Sequence, residues 1–315
     1  MSGTLWALTA GFGFGMFQSL NRRSVHGMDV YLATFLQLLI SAAVLLMITL
    51  ISGDINLWQS APPAALINFA LAGLCHFFVG WTFLNAGQKL IGASRTSPLI
   101  GTTPLFGAIF ATFTLGEFPS LFTWMGILII VLGVFLVSKQ TIAGTSLVLA
   151  STGGTSELNA GALLPGKRDS WLGVAFGLSA ALFWSISPIF IRRGLQDLAS
   201  PLFGVTVGLL ASSVFYAVFL LLRRQRGASI STATRDALFF KLLAGVVVGL
   251  STWMRWIALD FTTVANVLAL SMISTPVVLV VSPLLMERQL ERVTRPLVAG
   301  AGLIIGGALF LIYLN

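Results

Sequence analysis

Apolar stretches about as long as a bilayer is thick follow one another along the chain, each closed by a short polar or basic segment. A helix needs about 20 apolar residues to cross roughly 30 Å of hydrocarbon. Ten stretches qualify, near 4–21, 30–52, 64–88, 93–116, 120–138, 171–191, 199–222, 242–260, 263–286 and 296–314. They lack the alternation of period two that barrel strands show, so helices are expected throughout. Pro296 suits the first position of the last helix. The first stretch has no basic segment before it and no small-residue cleavage site after it, which reads as a retained helix rather than a leader.

The middle of the pattern occurs twice. Leu71-Ala72-Gly73, Trp81, Ala86, Ala93 and Thr103-Pro104 recur 172 residues later as Leu243-Ala244-Gly245, Trp253, Ala258, Ala265 and Thr275-Pro276. Two halves of five helices are expected, 1–139 and 170–315, joined by a linker at 140–169. Five is odd, so the second half must enter the bilayer upside down relative to the first. The fold class predicted is an all-α integral membrane protein of ten transmembrane helices in two inverted five-helix repeats. The linker's run Gly161 to Lys167 imitates a phosphate-binding loop, but Arg168 stands where Ser or Thr is required and no buried strand precedes it.

Composition agrees: 57% of residues are hydrophobic and 9% charged, more apolar surface than a water-soluble domain can bury. The net charge of +8 does not point to nucleic acid, because the basic residues sit mostly at the ends of apolar stretches. Of 18 Lys and Arg, 14 fall after odd-numbered spans, Lys241 among them, against Arg192 and Arg193 on the opposite side. The positive-inside rule then places both termini outside. Cys75 is the one cysteine, and His26 and His76 have no Cys or His at ligand spacing, so no metal site and no cofactor are expected.

Candidate chemistry lies inside the spans. Pro104 and Pro276 each remove a backbone donor, as do Pro98, Pro188 and Pro283. The freed carbonyls need hydroxyls, water or substrate; Thr102, Thr103, Ser274 and Thr275 stand beside the breaks, either as substrate-binding groups or simply as caps of the kinks. Trp81, Asn85 and Gln88 share one helical face, and Trp253, Trp256 and Asp260 form a similar stripe in the other half. Facing each other, the stripes would line an amphipathic cavity, with Trp184 and Asn266 adding stacking and hydrogen bonds and Gln18 and Gln37 at its opening. The alternative for tryptophans is an interfacial belt, strongest for Trp6, Trp58, Trp124 and Trp171. Arg95 and Arg255 are expected to snorkel to water; an inward-facing one would take a substrate carboxylate or phosphate, with Arg95 the candidate for orienting an anion. Asp260 is an imperfectly spaced local partner for Arg255. Gly11-Phe-Gly13-Phe-Gly15 and the glycines Gly300, Gly302, Gly306 and Gly307 read as helix-packing positions. Helices five and ten carry few polar residues and suit a scaffold or a homodimer contact.

These landmarks, with Gly116-Glu117 closing helix four and Phe14-Gly15 and Arg22-Arg23 matched by Trp184-Ser185 and Arg192-Arg193, resemble the EamA-type branch of the drug/metabolite transporter superfamily. The Gly-Glu ending has two candidate equivalents, Glu287 and Glu291. The resemblance implies a secondary-active permease of the bacterial inner membrane. It would export small metabolites, amino acids or amphipathic drug-like compounds, by alternating access at the repeat interface. It also implies cytoplasmic termini, against the charge count. Exchange of nucleotide sugars or phosphate esters is the alternative within transport. A lipid-modifying intramembrane enzyme would need a nucleophile-base or metal constellation that the sequence lacks.

Overall fold

The computed structural model describes residues 3–25, 28–91, 96, 99–151, 167–225, 233–285 and 295–313. Among them every regular element is helical. In chain order these are α1 (Gly3–Val25), α2 (Val30–Ser52), α3 (Pro63–Gly73, a widened π-helical stretch Leu74–Gly80, then Trp81–Ile91), α4 (Thr103–Leu115) and α5 (Leu121–Ser151). There follow α6 (Lys167–Asp197), α7 (Pro201–Gln225), α8 (Arg235–Phe261), α9 (Val264–Leu270, a tight turn Ser271–Ile273, then Ser274–Leu285) and α10 (Arg295–Tyr313). Local chemistry sets several ends: Asp29, Thr234 and Thr263 accept backbone N–H bonds at the starts of α2, α8 and α9. Gly53 and Gly116 close α2 and α4 with φ of 81° and 67°, the left-handed region that a Cβ disfavours.

Among the described residues five helices are long and apolar enough to cross a membrane: Val30–Ser52, Pro63–Gly87, Trp171–Asp197, Pro201–Gln225 and Arg235–Phe261. Thr103–Leu115, Leu121–Leu136, Val264–Val278 and Val298–Tyr313 are shorter apolar helices. Large apolar side chains such as Ile51, Phe113, Phe118, Phe215 and Leu309 face outward, as a lipid-solvated surface requires. Trp58 and Trp171 are also exposed, in keeping with an interfacial belt, whereas Trp6 and Trp124 pack against the core.

The expected boundaries differ in three places. Helix α5 continues to Ser151 and α6 begins at Lys167, so helix occupies part of the expected linker; residues 152–166 lie outside the described set. The expected span 93–116 is interrupted rather than continuous: Thr96, Leu99 and Ile100 are helical, a turn follows at residues 101–102, and α4 runs on from Thr103 at the proline that suits a first turn. Lys241, counted as a loop cation, lies inside α8 with none of its surface exposed.

The halves embrace rather than sit side by side. Helix α1 packs against α8 and α9, and its repeat mate α6 packs against α3 and α4. Likewise α2 meets α8 while α7 meets α3, and the equivalent pairs α2/α7, α4/α9 and α5/α10 meet each other. This is the pattern that a two-fold relation between halves produces. Glycines permit the close crossings: a Cβ on Gly73 would fall on the Gly208 backbone, and the repeat-equivalent Gly245 and its neighbour Gly249 sit against Ile40 and Ser41. The Ser41 hydroxyl donates to the Gly245 carbonyl at 2.7 Å, and Thr49 meets Thr206 at 2.9 Å. Gly11, Gly13 and Gly15 press α1 onto Ile273, Ser251 and Val277, as expected of packing positions. A Cβ on Gly302 or Gly306 would meet nothing within 4 Å among the described residues; the α5/α10 contact uses Gly126, Gly133 and Gly307 instead.

At one end a carboxylate ties the halves together. Glu117, just past α4, lies 3.1 Å from Arg192 Nη2 on α6 and accepts the Val264 N–H at the start of α9 at 2.9 Å, where the helix dipole favours an anion. Arg192 also donates to the Leu259 carbonyl at 2.7 Å. At the other end Arg23 pairs with Asp236 at 3.2 Å and Arg223 with Asp29 at 3.6 Å, in more exposed settings.

Two predictions follow from this packing. Gly73→Ala should lower the thermal unfolding midpoint in detergent by several degrees, at an overpacking cost of about 1–3 kcal/mol. Gly302→Ala, the same change in open space, should be neutral or stabilising by up to about 1 kcal/mol; equal effects would contradict the close crossing. Glu117→Gln keeps the shape but removes the charge, and should destabilise by about 1–3 kcal/mol, whereas Arg193→Gln at the neighbouring exposed position should change stability by less than about 0.5 kcal/mol.

Candidate functional site

Four helices, α1 and α3 from the first half and α6 and α8 from the second, converge on His76. The residue lies in the π-helical stretch of α3, a form that leaves backbone groups out of the ordinary ladder and that recurs at functional sites. The Trp184 indole N–H on α6 donates to the His76 carbonyl at 3.1 Å, and the indole stacks on the imidazole with centroids 5.4 Å apart and 22° between planes. Gly80 makes this approach possible, since a Cβ there would fall on the indole.

His76 Nδ1 lies 3.1 Å from Ser187 Oγ and 3.3 Å from Arg255 Nη2. A guanidinium donates only, so Nδ1 must be the acceptor and the ring proton sits on Nε2. The imidazole is therefore a neutral partner, and Arg255 keeps its whole charge. That charge is buried: Arg255 is 6% exposed, its guanidinium carbon lies 5.8 Å from the Phe14 ring centroid, and its Nε has no hydrogen-bond partner among the described residues. No carboxylate pairs with it among the described residues either, and Glu117 pairs with Arg192 instead. The expectation that Arg255 reaches water is thus corrected, because it turns inward to His76, and Asp260 does not neutralise it. Trp81 extends the aromatic wall, with centroids 4.9 Å from Phe77 and 6.4 Å from both Phe17 and His76.

A second buried polar group lies toward the other end of α8. The Lys241 ammonium donates to the side-chain carbonyls of Asn21 on α1 and, at 3.5 Å, of Gln37 on α2. One turn before Gln37, Thr34 accepts from Asn85 Nδ2 at 2.7 Å, and Asn85 Oδ1 is left without a partner among the described residues. Asn21, Thr34, Gln37, Asn85 and Lys241 are all buried. Arg255 and Lys241 are 14 residues apart on α8, about 21 Å at the helical rise, so each belongs to a separate cluster.

The structure thus gathers Trp81 and Trp184 at one centre and Gln37 and Asn85 at the other. Trp256 packs on Phe69 with centroids 5.7 Å apart, buried in the core. Gln18, Trp253, Asn266 and Thr275 are half-buried, and Asn266 sits in the first turn of α9 where Thr263 caps its N–H. The side chain of Gln88 and all of Arg95 and Pro98 lie outside the described residues. Thr103 Oγ1 donates to the Ile100 carbonyl at 2.6 Å, the carbonyl that the ring of Pro104 deprives of its N–H. Thr102 does the same for Leu99, and Ser185 reaches the Thr103 carbonyl at 3.0 Å. These hydroxyls cap the kink at buried Pro104; Pro276 is half-buried in the equivalent turn.

His76, Ser187, Asn21 and Lys241 were not legible as site residues. Spacing to a neighbouring ligand is the wrong question for a histidine whose partners lie 111 and 179 residues away, and a lysine at the edge of an apolar run looks like a topology signal. The usable hint was that Gly73 and Gly80 bracket His76 in a stretch otherwise apolar.

A search of curated proteins returned no match. Solved structures share the fold, among them a crystal structure with a TM-score of 0.72 over 99% of this chain and 99% of its own at 18% sequence identity. A model of the EamA-like transporter family matches residues 1–139 and again 171–313, once in each half. The duplicated helices, their reciprocal packing and the two matches together make this chain a multi-pass membrane protein that belongs to the EamA-like transporter family.

Proposed function

We propose that the protein is a secondary-active carrier of ten crossings in two inverted repeats, exporting small metabolites from a bacterial cell across its inner membrane. Amino acids or amphipathic drug-like compounds are the proposed cargo. The observation that carries the reading is the composition of the His76 centre: His76 and Phe14 come from one half, Trp184, Ser187 and Arg255 from the other. A rocking of one half against the other changes that centre directly, and polar side chains so placed in hydrocarbon mark a pathway more often than a scaffold. The Glu117–Arg192 pair joins the two halves across the same interface. Nothing in the sequence signals nucleotide hydrolysis, so an ion or solute gradient would supply the energy.

Exchange of nucleotide sugars or phosphate esters is the second reading, and the two buried cations Arg255 and Lys241 favour it. Their separation counts against a single doubly charged phosphate bridging both.

Reconstitution tests the reading. Liposomes containing only this protein and preloaded with a mixed pool of amino acids and aromatic acids should take up labelled members of the pool by counterflow at least about tenfold faster than empty liposomes, a difference of about 1.4 kcal/mol in the effective barrier. Labelled nucleotide sugar entering instead would select the second reading; no solute moving at all would refute the carrier.

A further inference from the structure

We infer that Arg255 is the docking group for an organic monoanion, a carboxylate on a planar apolar body, which rests on the carrier reading and names the substrate class of its central site. Three observations combine. The guanidinium is buried yet meets no carboxylate among the described residues, and its one polar partner is a neutral imidazole. Burying an unpaired charge is costly enough that proteins supply a counter-ion or take one up. The unpaired edge is specific: Nε has no hydrogen-bond partner among the described residues, and Nη2, which gives one N–H to His76, carries a second, so Nε and Nη2 form the edge of a guanidinium that engages both oxygens of a carboxylate side-on. The surroundings are aromatic, with Phe14 beside the guanidinium and Trp184, Trp81 and Phe77 around His76, which suits a flat hydrocarbon body.

The same inventory sets the charge. A phosphate dianion calls for a second cation, and Lys241 is about 21 Å away along α8. A zwitterion carries an ammonium that needs its own acceptor, and among the described residues no carboxylate pairs with Arg255 or His76 at the centre. The preferred order is therefore aromatic carboxylate over the matching amino acid, over the matching amide or phosphate ester.

Thermal unfolding of the purified full-length protein in detergent tests this, with indole-3-acetate, indole-3-acetamide, tryptophan and phenyl phosphate as probes. Indole-3-acetate should raise the midpoint by at least about 2–4 °C at saturation, and the amide by little or nothing. Arg255→Gln should weaken the acetate effect at least tenfold, while Arg255→Lys, which keeps the charge but loses the fork, should fall between. Without ligand, Arg255→Gln should unfold no lower than the natural protein, because it removes an uncompensated buried charge; this separates lost binding from lost folding. Equal shifts from acetate and amide, no shift from either, a larger shift from phenyl phosphate or tryptophan, or an undiminished acetate shift in Arg255→Gln would each overturn the assignment. Counterflow of neutral or zwitterionic solutes by the same preparation would leave the carrier reading standing in all of those cases.

Discussion

In hydrocarbon, a polar group that finds no partner inside the protein finds none at all. That constraint orders the whole structure. Backbone groups are satisfied within helices, and where Pro104 breaks the ladder the hydroxyls of Thr102, Thr103 and Ser185 take up the slack. Side-chain hydroxyls such as Ser41 and Thr49 stitch neighbouring helices through the gaps that small residues open. Against this background of satisfied groups, the buried side-chain atoms without a hydrogen-bond partner among the described residues stand out: Arg255 Nε, Asn85 Oδ1 and Glu117 Oε1, the last held by its ion pair with Arg192.

The packing of the chain is two-fold, but its polar content is not. Shifted by the 172-residue repeat, His76 corresponds to Val248, Arg255 to Phe83 and Lys241 to Phe69. Duplication supplies a symmetric frame, and divergence places each of these three side chains on only one copy. The mates are themselves useful: Phe69 fills the space beside Trp256 and against Gly194 and Gly204, in the region equivalent to the one where Lys241 finds Asn21 and Gln37. A carrier needs both properties, a frame of nearly equal states and a site whose chemistry is single.

Much of the fold was legible because it rests on local pattern: apolar length gave the helices, and the repeated Leu-Ala-Gly, Trp and Thr-Pro landmarks gave the halves. The site was less so. Trp81, Asn85, Gln37 and Trp184 could be singled out because bulky aromatics and amides inside an apolar run are conspicuous in one dimension, and the structure places them in the two buried clusters. Trp256 carries the same signal but serves packing, and Thr103 caps a kink, since a residue type does not disclose which way its helix turns. Lys241 and Arg255 misled for a common reason: each lies six residues from an end of α8, about 9 Å along the axis, where a flexible cation can reach water if nothing covers it. Only the packing of α1, α2 and α3 shows that they are covered.

The central claim is that the His76 centre is reached from one side of the membrane and then from the other. Cys75, the one cysteine of the chain and half-buried in the same widened turn, reports on it directly. Its alkylation by a membrane-impermeant thiol reagent, measured in sealed vesicles with the reagent applied to either face, should proceed from both faces and slow when a transported solute is present. Labelling confined to one face under every condition would contradict the account.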